Sequence, residues 1–261
     1  MQQANCKASS FLALVVCFFS LVLASAIQSQ TVAPLPQPYL HHSFAALTGG
    51  TRIRDVTLTG TATYYGGSAT ESGTAVLTAI GIEQSKFSVS LPSGARTETR
   101  SVSNGVSTET GSGPGGAFYT FGTADLMTAP TWFYPAFVLA PGLASPNCGS
   151  SYLGWELKDG VAVVHLKMWR QSSGDQAATI QLLSTHEIYL DAFSLLPMSV
   201  AFNLYPNGPT SAGIPVEIRF SDYRRVQARQ VAYHIQAYVQ SSLFWDIQLS
   251  SDSINTGPSI D

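Results

Sequence analysis

From Ile53 to Ile254, apolar and polar side chains change places at every second residue in run after run, and this alternation admits little besides half-buried antiparallel strands. In Ile53 to Tyr65, Val56, Leu58 and Ala62 fall on one side and Thr57, Thr59, Thr61 and Thr63 on the other. The same period runs through Glu71 to Gly81, Ser85 to Leu91 and Arg96 to Ser103. It returns in Leu153 to Leu157, Val161 to Trp169, His186 to Leu190, Pro197 to Tyr205, Ile214 to Tyr223, Val231 to Val239 and Leu243 to Ile254. Ser93-Gly94, Asn104-Gly105 and Asp159-Gly160 supply the turn chemistry between neighbours. The spacing predicts a mainly β chain: a single large curved antiparallel sheet of roughly 10–11 strands, with two or three short helices on its concave face.

Charge limits the partners. Only 11% of the 261 residues are charged, against about a quarter in ordinary domains, and the net charge is -3. No basic field exists to hold a nucleic acid. At the start of the chain, Lys7 precedes the apolar run Phe11 to Leu23, and Ala24-Ser25-Ala26 follows it. This is the pattern of a Sec-type signal peptide, too short to span a bilayer, where roughly 20 residues are needed. The expected organisation is a signal at 1–26, a Pro-rich arm at 27–42, one domain at 43–257 and a short tail at 258–261. After signal removal Cys148 is the one cysteine left, so no internal disulfide can form, and no stable membrane span remains. The expected location is periplasmic or extracellular.

The least β-like stretch follows the Gly-rich residues 111–116. Ala129 to Leu139 concentrates Trp132, Phe133, Tyr134 and Phe137, which fits a short apolar helix with Pro130 in its first turn and Pro141 ending it. A sheet with one apolar face must cover that face, and this segment is the strongest apolar candidate for the cover. Flanking glycines, with Pro141-Gly142 behind, would serve as hinges if the cover moves; the alternative is permanent core.

Chemistry is harder to find. His41, His42, His165, His186 and His234 form no metal-ligand spacing, and the chain has no nucleophile elbow and no phosphate or dinucleotide glycine loop. No metal, cofactor or enzymatic activity is expected. His41-His42 reads as a solvated pair, Asp222 with Arg224 as a structural ion pair, and Arg52 with Arg54 as a solvated edge or a contact for anionic head groups. His165 and His234 read as sheet or rim residues; a buried polar cluster around either would favour a hydrolase.

Three stretches carry a resemblance. They are Asp55 to Thr63 leading into Glu71 to Ala75; Ile188 to Asp191 followed by Leu195-Leu196-Pro197; and Val216 to Arg224, continued by His234 to Gln236 and Ile254 to Gly257. Together the chain resembles uncharacterised secreted bacterial proteins similar to the LolA/LolB lipoprotein-carrier superfamily. Where the carriers turn with Gly and Pro, this chain has Arg225-Val226-Gln227-Ala228-Arg229-Gln230. The resemblance implies an open half-barrel that takes up an acyl chain, another lipid or a lipoprotein. The expected ligand-binding residues are Trp132, Phe133, Phe137, Phe87, Val89, Phe202, Phe220 and Ile235. The rival expectation is an envelope structural or interaction module with a filled core and no ligand.

Overall fold

The computed structural model describes residues 35–260 apart from 67, 104–105, 121–131, 207 and 211. The expected signal, residues 27–34 of the expected Pro-rich arm and the Asn104-Gly105 turn lie outside the described residues, and residues 37–42 of that arm belong to a helix.

Thirteen strands form one antiparallel sheet: β1 (Asp55–Tyr64), β2 (Glu71–Ile80), β3 (Gln84–Leu91), β4 (Gly94–Ser103), β5 (Val106–Ser112), β6 (Phe118–Thr120), β7 (Cys148–Lys158), β8 (Val161–Arg170), β9 (His186–Asp191), β10 (Pro197–Leu204), β11 (Ile214–Val226), β12 (Arg229–Val239) and β13 (Ser242–Ile254). Three helices accompany them: α1 (Gln37–Thr48), α2 (Pro135–Ala144) and α3 (Ala177–Ser184). The strand order is β6-β5-β4-β3-β2-β1-β13-β12-β11-β10-β9-β8-β7, so the sheet is open, with β6 and β7 at its edges. Eleven strands fall where alternation places them; β5 and β6 are additional.

This order explains the cover. Strands β6 and β7 are consecutive in sequence yet stand at opposite edges, so their connection must cross the sheet. Its described part does so over the apolar face. The Trp132 ring meets Phe87 of β3 edge-on at 6.1 Å, and Gly142 lies against Met168 of β8. Eight interstrand steps separate β3 from β8, about 38 Å if the sheet were flat. A turn and two helical turns between Trp132 and Gly142 reach about 20 Å. Side chains project across the sheet rather than along it, so they do not make up the difference. The sheet therefore curls.

The helix at the centre of this connection begins later than the sequence implies. Trp132, Phe133 and Tyr134 precede it, and Pro135 takes its first position, where a missing N–H costs nothing. Pro141 lies inside the helix instead of ending it. It sits in the last turn, where Ser145 N still bonds its carbonyl at 3.0 Å. Helix α1 packs beside α2, and its Tyr39 stacks on Tyr152 of β7 at 5.3 Å. Leu40 and Leu47 are fully or nearly fully buried in the core.

Inward residues from almost every strand join one apolar cluster: Val56 and Leu58, Leu77, Phe87 and Val89, Leu166 and Met168, Ile188 and Leu190, Ile218 and Phe220, Ile235 and Ile247. Outward positions carry hydroxyls in place of charge. Cross-strand pairs bond directly, as in Thr63–Ser72 at 2.8 Å, Thr97–Ser112 at 2.6 Å and Ser101–Thr108 at 2.8 Å. The glycine in the middle of β1 is steric in origin. At Gly60, where the β1–β13 register shifts, a Cβ would sit 2.1 Å from the Gln248 carbonyl oxygen.

Ile235 has no solvent exposure and lies at the centre of the curl. Ile235→Ala is expected to lower unfolding free energy by about 2–5 kcal/mol, read as a shift of the urea midpoint at unchanged m-value. A loss under about 1 kcal/mol would mean that the apolar face is loosely packed.

Candidate functional site

Six of the eight expected ligand-binding side chains are buried in the common core: Phe87 and Val89 on β3, Phe133 before α2, Phe137 within it, Phe220 on β11 and Ile235 on β12. Trp132 and Phe202 are half-buried and pack against that core. Edge-on contacts run without a break from the cover into the sheet: Phe133 to Trp132 at 5.5 Å, Trp132 to Phe87, and Phe87 to Trp245 of β13 at 5.1 Å. Trp245 in turn meets Tyr64 of β1 at 4.8 Å. Such pairs add about 0.5–1.5 kcal/mol each beyond burial. Phe202 stands apart from this run, lining a cavity of 310 Å³ with Lys158, Glu187, Asn203, Glu217 and Tyr238.

Beyond the aromatic run, the inner face turns polar. Register pairs Val89 with Arg96 and Phe87 with Glu98, which puts both charges on the side that β3 gives to the core. The Arg96 guanidinium lies over the Tyr64 ring at 4.2 Å, and its Nε is buried with no hydrogen-bond partner among the described residues. Arg100 Nε stands 3.0 Å from Glu98 Oε1 and 2.9 Å from Glu109 Oε2, whose side chain has no exposure. Burial works against the Arg100 charge, but the two carboxylates more than offset it and raise its pKa.

The outer face carries two clusters around the histidines. His165 stacks on Tyr189 at 4.3 Å, with Nδ1 3.4 Å from Glu156 and Nε2 3.3 Å from Glu187. The Tyr189 hydroxyl donates to Glu187 at 2.9 Å, and burial together with that neighbouring carboxylate raises its pKa. Lys158 lies over the other side of this network, 4.1 Å from the Tyr189 ring and 3.0 Å from Glu217. Burial pushes the Glu217 carboxyl up, but Lys158 and Arg219 hold it below its ordinary value.

The second cluster has the order of contacts of a nucleophile, a base and an orienting acid. Ser221 Oγ is 3.0 Å from His234 Nδ1, and His234 Nε2 is 3.0 Å from Asp246 Oδ1; Gln236 donates to Asp246 Oδ2 at 2.9 Å. All three side chains lie on interior strands, β11, β12 and β13, each hydrogen-bonded to a neighbour on both sides. The β11–β12 ladder continues on either side of Asp222, beside Ser221, which itself has no β12 partner and a φ of 49°. The three side chains tie neighbouring strands together as a cross-strand polar clamp. Asp222 and Arg224 form an ion pair at 2.6 Å, and no group of three or more His, Cys, Asp or Glu side chains among the described residues could hold a metal.

The fold is shared with proteins of known structure. A LolA superfamily protein from Nitrosomonas europaea matches with a TM-score of 0.53 at 11% identity, over 87% of this chain and 96% of that one. The fold is LolA-like. A DUF1329 family protein from Desulfovibrio piger matches with a TM-score of 0.54 at 10% identity, over 87% of this chain and 95% of that one. A domain from Vibrio parahaemolyticus, provisionally described as an outer membrane lipoprotein-sorting protein, matches with a TM-score of 0.50 at 12% identity, over 85% of this chain and 92% of that one. No protein-family model and no curated protein sequence matches the chain.

Sequence reasoning missed the polar end of the LolA-like hollow. Arg96, Glu98 and Arg100 alternate just as apolar residues do elsewhere, so the signal was in the period and not in the residue type. His186 opens β9, as its place in the alternation implies, but sequence reasoning missed the burial of its ring. Its Nδ1 donates to the Ser184 carbonyl at 3.1 Å, and its Nε2 is buried without a hydrogen-bond partner among the described residues. Burial lowers its pKa below 6.5, only partly countered by the Ser184 bond. The unfolded chain therefore binds a proton that the folded chain refuses, and stability falls as pH drops from about 6.5 toward the folded pKa. The urea midpoint of His186→Phe is expected to fall less than that of the unsubstituted chain between about pH 7.5 and about pH 5.5. Equal declines would place the proton-linked loss elsewhere.

Proposed function

We propose that this is an exported, non-enzymatic binding protein that holds a lipidic or amphipathic ligand against the concave face of its sheet, in the place that α2 and Trp132 cover. One observation carries the reading: the apolar face is closed by the crossing connection, with α1 beside it, and the described part of that connection grips the sheet through side chains rather than through strand hydrogen bonds. Withdrawing that connection uncovers Phe87, Val89, Phe220 and Ile235 without breaking the ladder. An acyl chain laid in their place regains about 0.8 kcal/mol per buried methylene. Ten methylenes supply about 8 kcal/mol, which equals micromolar affinity before the lost aromatic and helix contacts are subtracted, so a longer chain is needed to displace the cover and still bind in that range.

The LolA-like fold supports this reading, and so does the lipoprotein-sorting description of the Vibrio domain. An acyl chain, a lipid or the acylated end of a lipoprotein fits the apolar lining, with Arg96 and Arg100 at its polar end. No cofactor is required. Export follows from the signal-like start of the chain, with the periplasm or the exterior as destination.

A filled hollow favours a second reading, an envelope structural or interaction module with no ligand, because six of the eight expected ligand-binding side chains are already buried in the common core. Displacement of a fluorescent fatty-acid probe separates the two. Saturable binding in the micromolar range is expected, weakened about tenfold by Trp132→Ser, which removes an anchor of the cover and of the chain's contact surface. Absence of both probe binding and co-purifying lipid by native mass spectrometry would establish the filled module instead.

A further inference from the structure

The antiparallel order gathers several chain reversals at one end of the sheet. They are the β7–β8 turn at 159–160, the β9–β10 turn at 192–196, the β11–β12 turn at 227–228, the β2–β3 turn at 81–83 and the entry to β1 at 51–54. Hydrogen bonds tie this rim together in two groups, one at the β7–β8 and β9–β10 ends and one at the β1 entry, the β2–β3 turn and β12. Ala192 N donates to the Ala162 carbonyl at 3.0 Å, Gly81 N to the Arg54 carbonyl at 2.7 Å, and Arg229 Nε to Thr51 Oγ1 at 3.2 Å. Asn255, leaving β13, accepts from Arg54 N and donates to the Arg52 carbonyl.

Two features of this rim have no role in the hollow. The first is apolar: Phe193 at the β9–β10 tip is 91% exposed and Leu157 beside the β7–β8 tip is 75% exposed, the two most exposed large apolar side chains among the described residues. Phe193 is held there, because Asp191 Oδ1 accepts from the backbone N–H of both Phe193 and Ser194 and fixes the turn beneath it. The second is basic. Arg52, Arg54, Arg225 and Arg229 are half or fully exposed and make no ion pair among the described residues, whereas most nearby acids are engaged. Asp222 is paired with Arg224, Asp159 with Arg219, and Asp55 accepts from Thr256 N and Gly257 N; Glu83 is the exception, with no such partner shown. Arg52, Arg54, Arg225 and Arg229 thus bring four positive charges with no ion-pair partner among the described residues to one end of the sheet.

We propose that this rim docks on an anionic phospholipid surface, with Phe193 and Leu157 entering the interface and the four arginines meeting lipid phosphates. The chemistry of each part fits. A bulky apolar side chain on a rigid exposed turn can enter a membrane interface without rearrangement of the fold, and an aromatic ring is at home at head-group depth. Arginine forks bind phosphate oxygens in pairs. Four arginines gathered at one end orient the molecule, because that end is drawn to the anionic surface. Nothing here depends on whether the hollow holds a ligand.

Co-sedimentation with vesicles tests the idea. The purified protein is compared on phosphatidylcholine vesicles with and without about 30% phosphatidylglycerol, at low and at high salt. Variants identical outside the rim isolate its share. Binding that requires phosphatidylglycerol and weakens with salt is expected. The double substitution R225E and R229E should lower partitioning by about 25-fold or more, roughly fivefold for each charge removed, and Phe193→Ser by several-fold. Phe118→Ser, an exposed aromatic at the opposite end of the sheet, should leave it unchanged. All these side chains are exposed, so circular dichroism should show folded variants. Equal binding to both vesicle types, or rim variants that partition like the unsubstituted chain, would overturn the proposal. A fatty-acid result of either sign leaves it standing.

Discussion

A sheet that is apolar on one side only cannot stand alone, and the remaining architecture follows from how that side is kept from water. The strand order sends β6 and β7 to opposite edges, so the chain between them has to cross the sheet. It crosses on the apolar side, where Trp132, Phe133 and Phe137 can bury their rings. Because the crossing is short, it draws β3 and β8 together, and the sheet bends around it. Cover and curvature are therefore one feature. Closing the circle into a barrel would remove the edges but would also leave no room for the connection that now fills the interior.

The opposite side meets water with few charges. Hydroxyl ladders of Thr and Ser tie neighbouring strands, and the charged groups that are present work in networks: Glu217 with Lys158 and Arg219, Asp246 with His234 and Gln236. Isolated exposed ion pairs contribute little, but a carboxylate held by two or three donors on adjacent strands fixes their register. That is the physical content of the Ser221–His234–Asp246 line. It joins β11, β12 and β13 at hydrogen-bond distance, in a geometry that the ladder sets.

Much of this was legible in the sequence because a two-residue period says where a strand lies and which side is buried. The failures have a common cause, namely that the period was sought in apolarity. Strand β5 turns Glu109 and Gly111 inward, a carboxylate paired with Arg100 and a glycine, so its alternation carries no apolar signal. Helix α3 buries little beyond Leu183 and Ser184, too few positions to mark a helical face. The α2 start was misplaced because Pro130 and Pro135 offer the same first-turn signal and only packing chooses between them. Most of the candidate site could be listed from its aromatic residues. Its polar end and the His234 contacts could not, since they depend on the register of strands that alternation alone does not pair.

The tie between cover and curvature constrains any occupant of the hollow. Trp132 at one end and Gly142 at the other hold opposite arms of the arc, against Phe87 and Met168. A ligand that merely pushed the cover aside would release both arms, and the sheet would relax toward a flatter curve, exposing more apolar surface than the ligand covers. A compact apolar molecule seated at one arm therefore gains less than its own burial. A long flexible chain lying along the path of the cover bridges the two arms as the cover does, and keeps the curvature that makes the hollow. On the proposed reading, selectivity for elongated over compact apolar ligands thus arises from the topology of the β6–β7 crossing, before any single lining residue is considered.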